Sequence, residues 1–221
     1  MNELTAVRAE VVRTGQAMLE RGLVAGTWGN VSIRVPGAEL VAVTPSGRDY
    51  RSLRPEDVAV VDMRGKQVAG ELTPSTEVPL HLAIYAARPE IGAVVHTHSV
   101  FASACAAARR PLPPIIEDLV QLAGGAIEVA AYALPGTAQL AANAVAALAD
   151  RQAVLLANHG AVGCGRTAAE ALLACELVEK GAQIYIYANL LGGAQVLSDG
   201  DVAEMRRFFV EHYRRRQEGA E

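Results

Sequence analysis

At 221 residues the chain has room for one domain with a sizeable core, and 51% hydrophobic content with only 5% aromatics points to compact Ala, Val and Leu packing of helices on a sheet. A formal charge of −4 excludes a global basic field that would recruit nucleic acid or an anionic membrane, so an anionic ligand has to be caught locally. Three scattered cysteines (Cys105, Cys164, Cys175) read as buried, reduced thiols, and an amino-terminal stretch without a signal-peptide apolar core, in a chain with no run of membrane-span length, sets a cytoplasmic location as the expectation.

Residues 3–21 carry apolar positions at helical spacing (Val7, Val11, Val12, Met18, Leu19), with Gly22 as the stop. Past Gly26-Thr27-Trp28-Gly29-Asn30, the segment Val31-Ser32-Ile33-Arg34-Val35 alternates as a strand, Pro36-Gly37 turns, and Leu40-Val41-Ala42-Val43 returns as its hairpin partner. Val58-Ala59-Val60-Val61 and Gln67-Val68-Ala69 make a second short pair. Ser75 or Thr76 caps a helix to about residue 87, where Pro79 is tolerated because it falls in the first turn. A strand at 91–97 and a small-residue helix at 101–108 follow, then extended Pro111-Leu112-Pro113-Pro114. Residues 127–130 read as a strand, 137–148 as an Ala-rich helix and 153–157 as another strand. Thr167 caps a long helix to about residue 191, and Ser198 or Asp199 caps a last one ending in Tyr213-Arg214-Arg215-Arg216. This alternation, with no repeat or linker, predicts a single α/β domain over residues 1–221.

The chemistry concentrates at His96-Thr97-His98. Side chains two apart on a strand share a face, so His96 and His98 can hold one ion while Thr97 points away. His159, ending the run Ala153-Val154-Leu155-Leu156-Ala157-Asn158, completes a three-nitrogen site if the two strand ends lie side by side. Three histidines with an open fourth position describe a catalytic zinc. A lone histidine is more often a satisfied core residue, but three of the chain's five histidines end or follow two strand-like runs. Three segments rich in Gly, Ser and Thr read together as an anion cradle: Gly26-Thr27-Trp28-Gly29-Asn30, Thr44-Pro45-Ser46-Gly47 and Thr73-Pro74-Ser75-Thr76. Taken singly, each is more often a plain turn or cap. Glu77 reads as a carboxylate base between cradle and metal, although an acidic residue in a first helical turn also suits the helix dipole.

These motifs, in order along nearly the whole chain, resemble the zinc-dependent class II aldolase family, which also includes epimerases, dehydratases and the adducin head domain. The resemblance rests on Gly26-Thr27-Trp28-Gly29-Asn30-Val31-Ser32, Thr44-Pro45-Ser46-Gly47, Pro74-Ser75-Thr76-Glu77, His96-Thr97-His98 and Asn158-His159-Gly160. It implies a three-layer α/β/α fold on a central mixed, largely antiparallel sheet. It implies one Zn2+ per subunit on His96, His98 and His159, with Glu77 as a fourth ligand in the empty enzyme and as the catalytic acid/base. Gly29, Asn30, Ser46, Gly47, Ser75 and Thr76 would hold the substrate phosphate. The partner is then a sugar phosphate, with no nucleic acid or membrane, and the assembly a homotetramer with active sites at subunit interfaces.

The implied reaction is cleavage of a ketose 1-phosphate (L-fuculose 1-phosphate or a 5-deoxy- or methylthio-ribulose 1-phosphate) to dihydroxyacetone phosphate and an aldehyde. Family aldolases carry Glu at position 77, epimerases Asp and dehydratases a non-acidic residue, so Glu77 favours carbon–carbon cleavage. Adducin heads lack the metal histidines. The rivals are a dehydratase, decarboxylase or 4-epimerase of the same family, or an adducin-like interaction module. Family aldolases also place a tyrosine after the His-x-His strand, where this chain has Pro114-Ile115-Ile116-Glu117-Asp118-Leu119. Glu117 is therefore the candidate aldehyde-side acid, against the reading that Glu117 and Asp118 only begin a surface helix. His81, one helical turn after Glu77, reads as a packing or orienting residue rather than a ligand. Tyr213 is the nearest counterpart of a tail tyrosine that reaches a neighbouring site, beside an arginine run better suited to a solvated helix end.

Overall fold

Strand residues that alternate between two apolar surfaces build one sheet with a core on each face. In the computed structural model, which describes residues 3–213, β1 (Asn30–Arg34) pairs with β2 (Leu40–Val43), β2 with β3 (Ala59–Asp62), and β3 with the edge strand β4 (Gln67–Ala69). On its other side β1 pairs with β5 (Ala93–Thr97), setting Asn30 opposite His96. Beyond β5 lie β8 (Gly160–Gly165), β7 (Ala153–Leu156) and the two-residue β6 (Val129–Ala130). The order β4-β3-β2-β1-β5-β8-β7-β6 is antiparallel throughout except at β6–β7, so the sheet is mixed and largely antiparallel as expected.

Val31, Val60, Ala93 and Val95 face α1 (Glu3–Glu20) and α6 (Ala168–Leu190). Val41, Val61, Val94, Val154 and Val162 face α2 (Val78–Ala87) and α5 (Ala138–Leu148) on the opposite side. α3 (Val100–Ala107) and α4 (Glu117–Ala123) pack beside α6, and α7 (Asp199–Phe208) packs on α4. Full burial of one such valine contributes about 1.5–3 kcal/mol. The expected caps form at Thr167 and Ser198, whose side chains accept from Glu170 N and Asp201 N, and Thr137, expected inside its helix, caps it instead by accepting from Leu140 N. All three cysteines are buried free thiols. No described helix is long and apolar enough to cross a membrane.

Three expectations need correction. β8 has no counterpart in the sequence reading, because three glycines in six residues erase its apolar alternation. Helix α2 is not capped by Ser75 or Thr76. Glu77 is its N-cap residue, since Pro79 lacks the N–H that a helix begun at 76 would give to the Ser75 carbonyl. Ile127 does not join β6 but forms a single bridge to Leu112. The Tyr213 side chain and the run 214–216 lie outside the described residues.

The glycines of β8 let α6 rest on bare backbone. A Cβ on Gly163 would stand 2.5 Å from the Ala171 carbonyl oxygen and 2.7 Å from Cys175 Sγ. Gly163→Ala is therefore expected to destabilise the protein by about 1–3 kcal/mol, the usual cost of overpacking, read as a lower urea midpoint. An unchanged midpoint would show that this close approach is not a constraint on the fold.

Candidate metal and phosphate site

The site forms where β5 ends on the α2 side of the sheet. Period-2 alternation sends Ala93 and Val95 to the α1/α6 core and Val94 to the α2/α5 core, so His96 points to the α2 side. His98 stands just past the strand end. His159 reaches them by a different route from the one the sequence suggested. β8 lies between β5 and β7, and His159 sits in the turn that joins β7 to β8, after Asn158 at φ 56°. Arg109 donates to Asn158 Oδ1 at 2.8 Å and braces that turn against the end of α3.

The three Nε2 atoms converge: His96 is 2.9 Å from His98 and 3.2 Å from His159. Glu77 Oε2 is 3.1 Å from His96 Nε2, and Oε1 is 3.6 Å from His159 Nε2. A tetrahedral ion with bonds of about 2.0–2.1 Å sets its donors roughly 3.3 Å apart, which is the spacing found here. His96 Nδ1 donates to the Ala161 carbonyl at 2.9 Å, and this turns the Nε2 lone pair to the centre. Burial first, and the neighbouring imidazoles next, bring His98 and His159 down to about 4, so both are neutral as metal ligands must be. Burial raises the Glu77 carboxyl, but His96, His159 and the Asn30 amide outweigh it and hold the group well below the usual carboxylate range. Oε1 of this ionised group is buried without a hydrogen-bond partner. Three lone pairs and an unsatisfied carboxylate oxygen on one point fit a divalent cation.

Beside the ligands opens a cleft of about 280 Å³ lined by every expected cradle residue, Gly29, Asn30, Ser46, Gly47, Ser75 and Thr76, together with Glu77, His98 and His159. Backbone pairing brings two of the segments together: Ser46 N donates to the Thr73 carbonyl at 2.9 Å and Ser75 N to the Thr44 carbonyl at 3.1 Å. Gly29 holds the third, at φ 75° and so close to β5 that a Cβ would stand 2.6 Å from the His96 carbonyl oxygen. Tyr50, a buried residue that no sequence motif singles out, donates its hydroxyl to the Gly29 carbonyl at 2.6 Å. Glu77 does not use its carboxylate to cap α2. The side chain turns to the cleft, and Asn30 Nδ2 donates to Oε2 at 2.9 Å.

Two residues fall elsewhere. His81 is buried outside the ligand cluster, brought down to about 3 by burial and therefore neutral. Glu117 is exposed at the start of α4, which packs on the α6 side of the sheet, and it does not line the cleft; Asp118 beside it pairs with Lys180.

Residues 9–186 match the family described as Class II Aldolase and Adducin N-terminal domain. The chain is 38% identical over 202 residues to a 5-deoxy-D-ribulose 1-phosphate aldolase of Bacillus thuringiensis serovar kurstaki, covering 91% of this chain and 94% of that one. It is 33% identical over 211 residues to a 3-oxo-tetronate 4-phosphate decarboxylase of Escherichia coli K12, covering 91% and 95%. A solved L-fuculose 1-phosphate aldolase superposes with a TM-score of 0.90 at 38% identity, over 93% of this chain and 96% of that one.

Alanine at His96, His98 or His159 is expected to abolish stoichiometric binding of a divalent metal while the far-ultraviolet circular dichroism stays that of the parent, because the core closes without the ion. Elemental analysis of the three purified variants decides this. Full occupancy in all three would place the ion elsewhere.

Proposed function

The chain belongs to the class II aldolase and adducin family, and from that membership and the site's geometry we propose that it is a zinc-dependent aldehyde-lyase. It cleaves a ketose 1-phosphate, L-fuculose 1-phosphate or a 5-deoxy- or methylthio-ribulose 1-phosphate, to dihydroxyacetone phosphate and an aldehyde. The observation that carries this reading is the position of Glu77, ionised and within 3.1–3.6 Å of two ligand nitrogens at one side of a Gly/Ser/Thr-lined cleft. His96, His98, His159 and, in the empty enzyme, Glu77 would hold the zinc, which when bound would supply Lewis-acid stabilisation of negative charge developing on substrate oxygen.

The chain's own residues do the rest. Gly29, Asn30, Ser46, Gly47, Ser75 and Thr76 hold the phosphate, which fixes the ketose carbons relative to Glu77. In cleavage the C4 hydroxyl gives up its proton, the C3–C4 bond breaks, the aldehyde leaves, and Glu77 protonates C3 of the enediolate; in condensation Glu77 removes that proton. The hydroxyl proton needs a second group, for which we propose Glu117. Its exposed position at the start of α4 suits a role at the cleft of a neighbouring subunit in a homotetramer. Trp28 at the cleft, 67% exposed, and Tyr132 and Leu134 beside the cleft-lining Pro135, 52% and 64% exposed, support a partner covering this rim. We propose the protein as a single-domain cytoplasmic enzyme.

The decarboxylase relative favours a second reading, since loss of CO2 from a 3-oxo acid leaves a carbanion beside a carbonyl that the same centre would stabilise and the same carboxyl would protonate. Assaying a panel of ketose 1-phosphates and 3-oxo acid phosphates separates the two. Aldehyde release supports the aldolase, and CO2 release without an aldehyde overturns it.

Glu77→Gln is expected to keep its zinc and lose roughly 10²–10⁴-fold in kcat, the range for a lost general acid/base. The half-reaction is read by exchange of the dihydroxyacetone phosphate C–H proton with deuterated solvent. Exchange at the parent rate would remove Glu77 from the role. Glu117→Gln separates the two halves: cleavage should slow by about 10²-fold or more while that exchange stays nearly intact. A variant that cleaves at the parent rate would return Glu117 to the role of a helix-start carboxylate.

A further inference from the structure

We infer that His81 is a positioning residue that, through Asn30, fixes which oxygen of Glu77 is held and which is left free to work. The inference rests on the reading of Glu77 as the acid/base and adds a residue that touches neither metal ligand nor cleft with its side chain.

The path is a chain of buried hydrogen bonds between one face of β1 and one stripe of α2. Asn30 and Ser32 share a face of β1, and His81 and Tyr85 are one turn apart on α2. Ser32 Oγ lies 2.9 Å from the Tyr85 hydroxyl and 2.6 Å from His81 Nδ1, and His81 Nε2 lies 2.5 Å from Asn30 Oδ1. Asn30 Nδ2 then donates to Glu77 Oε2 at 2.9 Å. Burial of His81 to 1% exposure leaves water no part in the path.

Donor and acceptor capacities orient it in one direction. An amide oxygen only accepts, so His81 Nε2 carries the hydrogen; neutral His81 then accepts at Nδ1 from the Ser32 hydroxyl, and the single hydrogen of the Tyr85 hydroxyl lies between Ser32 Oγ at 2.9 Å and the Ser32 carbonyl at 3.0 Å. With the hydrogen on Nδ1 instead, the Asn30 amide would have to turn over, and its oxygen would face an ionised carboxylate oxygen at hydrogen-bond distance. From Ser32 to Asn30 each donor points toward Glu77, and charge-assisted hydrogen bonds at the end of such a path are the strong kind. Oε2 is thereby tied to Asn30. Oε1 stays without a donor, beside His159.

The test compares His81→Leu, which removes the donor, with His81→Gln, whose amide can replace it, in the metal-loaded enzyme. The Leu variant should retain stoichiometric metal and a KM within about threefold of the parent, yet lose about 10²-fold in kcat and in solvent exchange, as expected for a displaced reacting group. The Gln variant should recover to within about tenfold of the parent. Independently of activity, the imidazole ¹⁵N shifts of His81 in the parent should show a neutral ring protonated at Nε2. If His81→Leu does not fold, Ser32→Ala serves in its place: loss of the hydroxyl that holds the tautomer should lower kcat without lowering metal content. An Nδ1–H or doubly protonated ring, parent-like kcat in the Leu variant, or a Gln variant no better than Leu would each overturn the inference. A parent enzyme that releases no dihydroxyacetone phosphate from any substrate would instead defeat the aldolase reading, and the ¹⁵N measurement would still decide the positioning role.

Discussion

Four electron-pair donors crowded to within hydrogen-bond distance of one another, mostly out of contact with water, form the constraint that the surrounding structure serves. Lone pairs at 2.9–3.2 Å repel unless a proton or a cation lies between them. Neutral imidazoles at His98 and His159 leave the ionised Glu77 as the negative member of the set. Such a cluster persists only on rigid supports, because an element free to relax would move its donor away. The supports are an interior strand, a tight turn between two interior strands, and a helix N-terminus packed on the sheet.

The same supports explain why the proposed phosphate cradle and the metal-binding group form one cleft. β1 neighbours β5, so the loop before β1 brings Gly29 against the His96 carbonyl, and only a residue without Cβ fits there. β2 neighbours β1, so the loop after β2 carries Ser46 and Gly47 to the same end of the sheet, and its pairing with residues 73–75 draws in the start of α2. Glu77 therefore stands between the two halves by topology. A carboxylate at that point has no helix N–H to cap and is committed to the cleft.

The legibility of the sequence followed the strength of its local signals. His96-Thr97-His98 is readable because a two-residue period survives wherever a strand forms, and Thr167 and Ser198 because a cap is decided within three residues. β8 was not, since Gly160, Gly163 and Gly165 trade side chains for the close approach of α6, and a strand recognised by apolar alternation disappears when its apolar residues are deleted. Missing β8 also misplaced His159, which reaches the centre from a turn rather than from a strand beside β5. Asn30 was read as a phosphate contact from its motif. Its commitment to Glu77 and His81 became visible only when β1 was set against α2, a contact 47 and 51 residues away in sequence. Tyr50 and Ser32 were missed for the same reason: their partners are backbone or side-chain atoms that no spacing rule brings near.

The geometry also divides the proposed reaction unequally between one chain and the proposed neighbour. The residues proposed to grip the phosphate, the group that could hold a metal and the carboxylate proposed to handle the carbon-bound proton all come from one side of one sheet. Glu117, the group proposed for the aldehyde side, starts α4, which packs on the opposite, α6 side of that sheet, and it does not line the cleft. On the proposed reading, enediolate chemistry is complete in a protomer while carbonyl chemistry depends on what a neighbour would place over the exposed Trp28 at the cleft and the exposed Tyr132 and Leu134 near Pro135. In such an arrangement aldehyde preference can change through the neighbour's segment without disturbing the metal or Glu77.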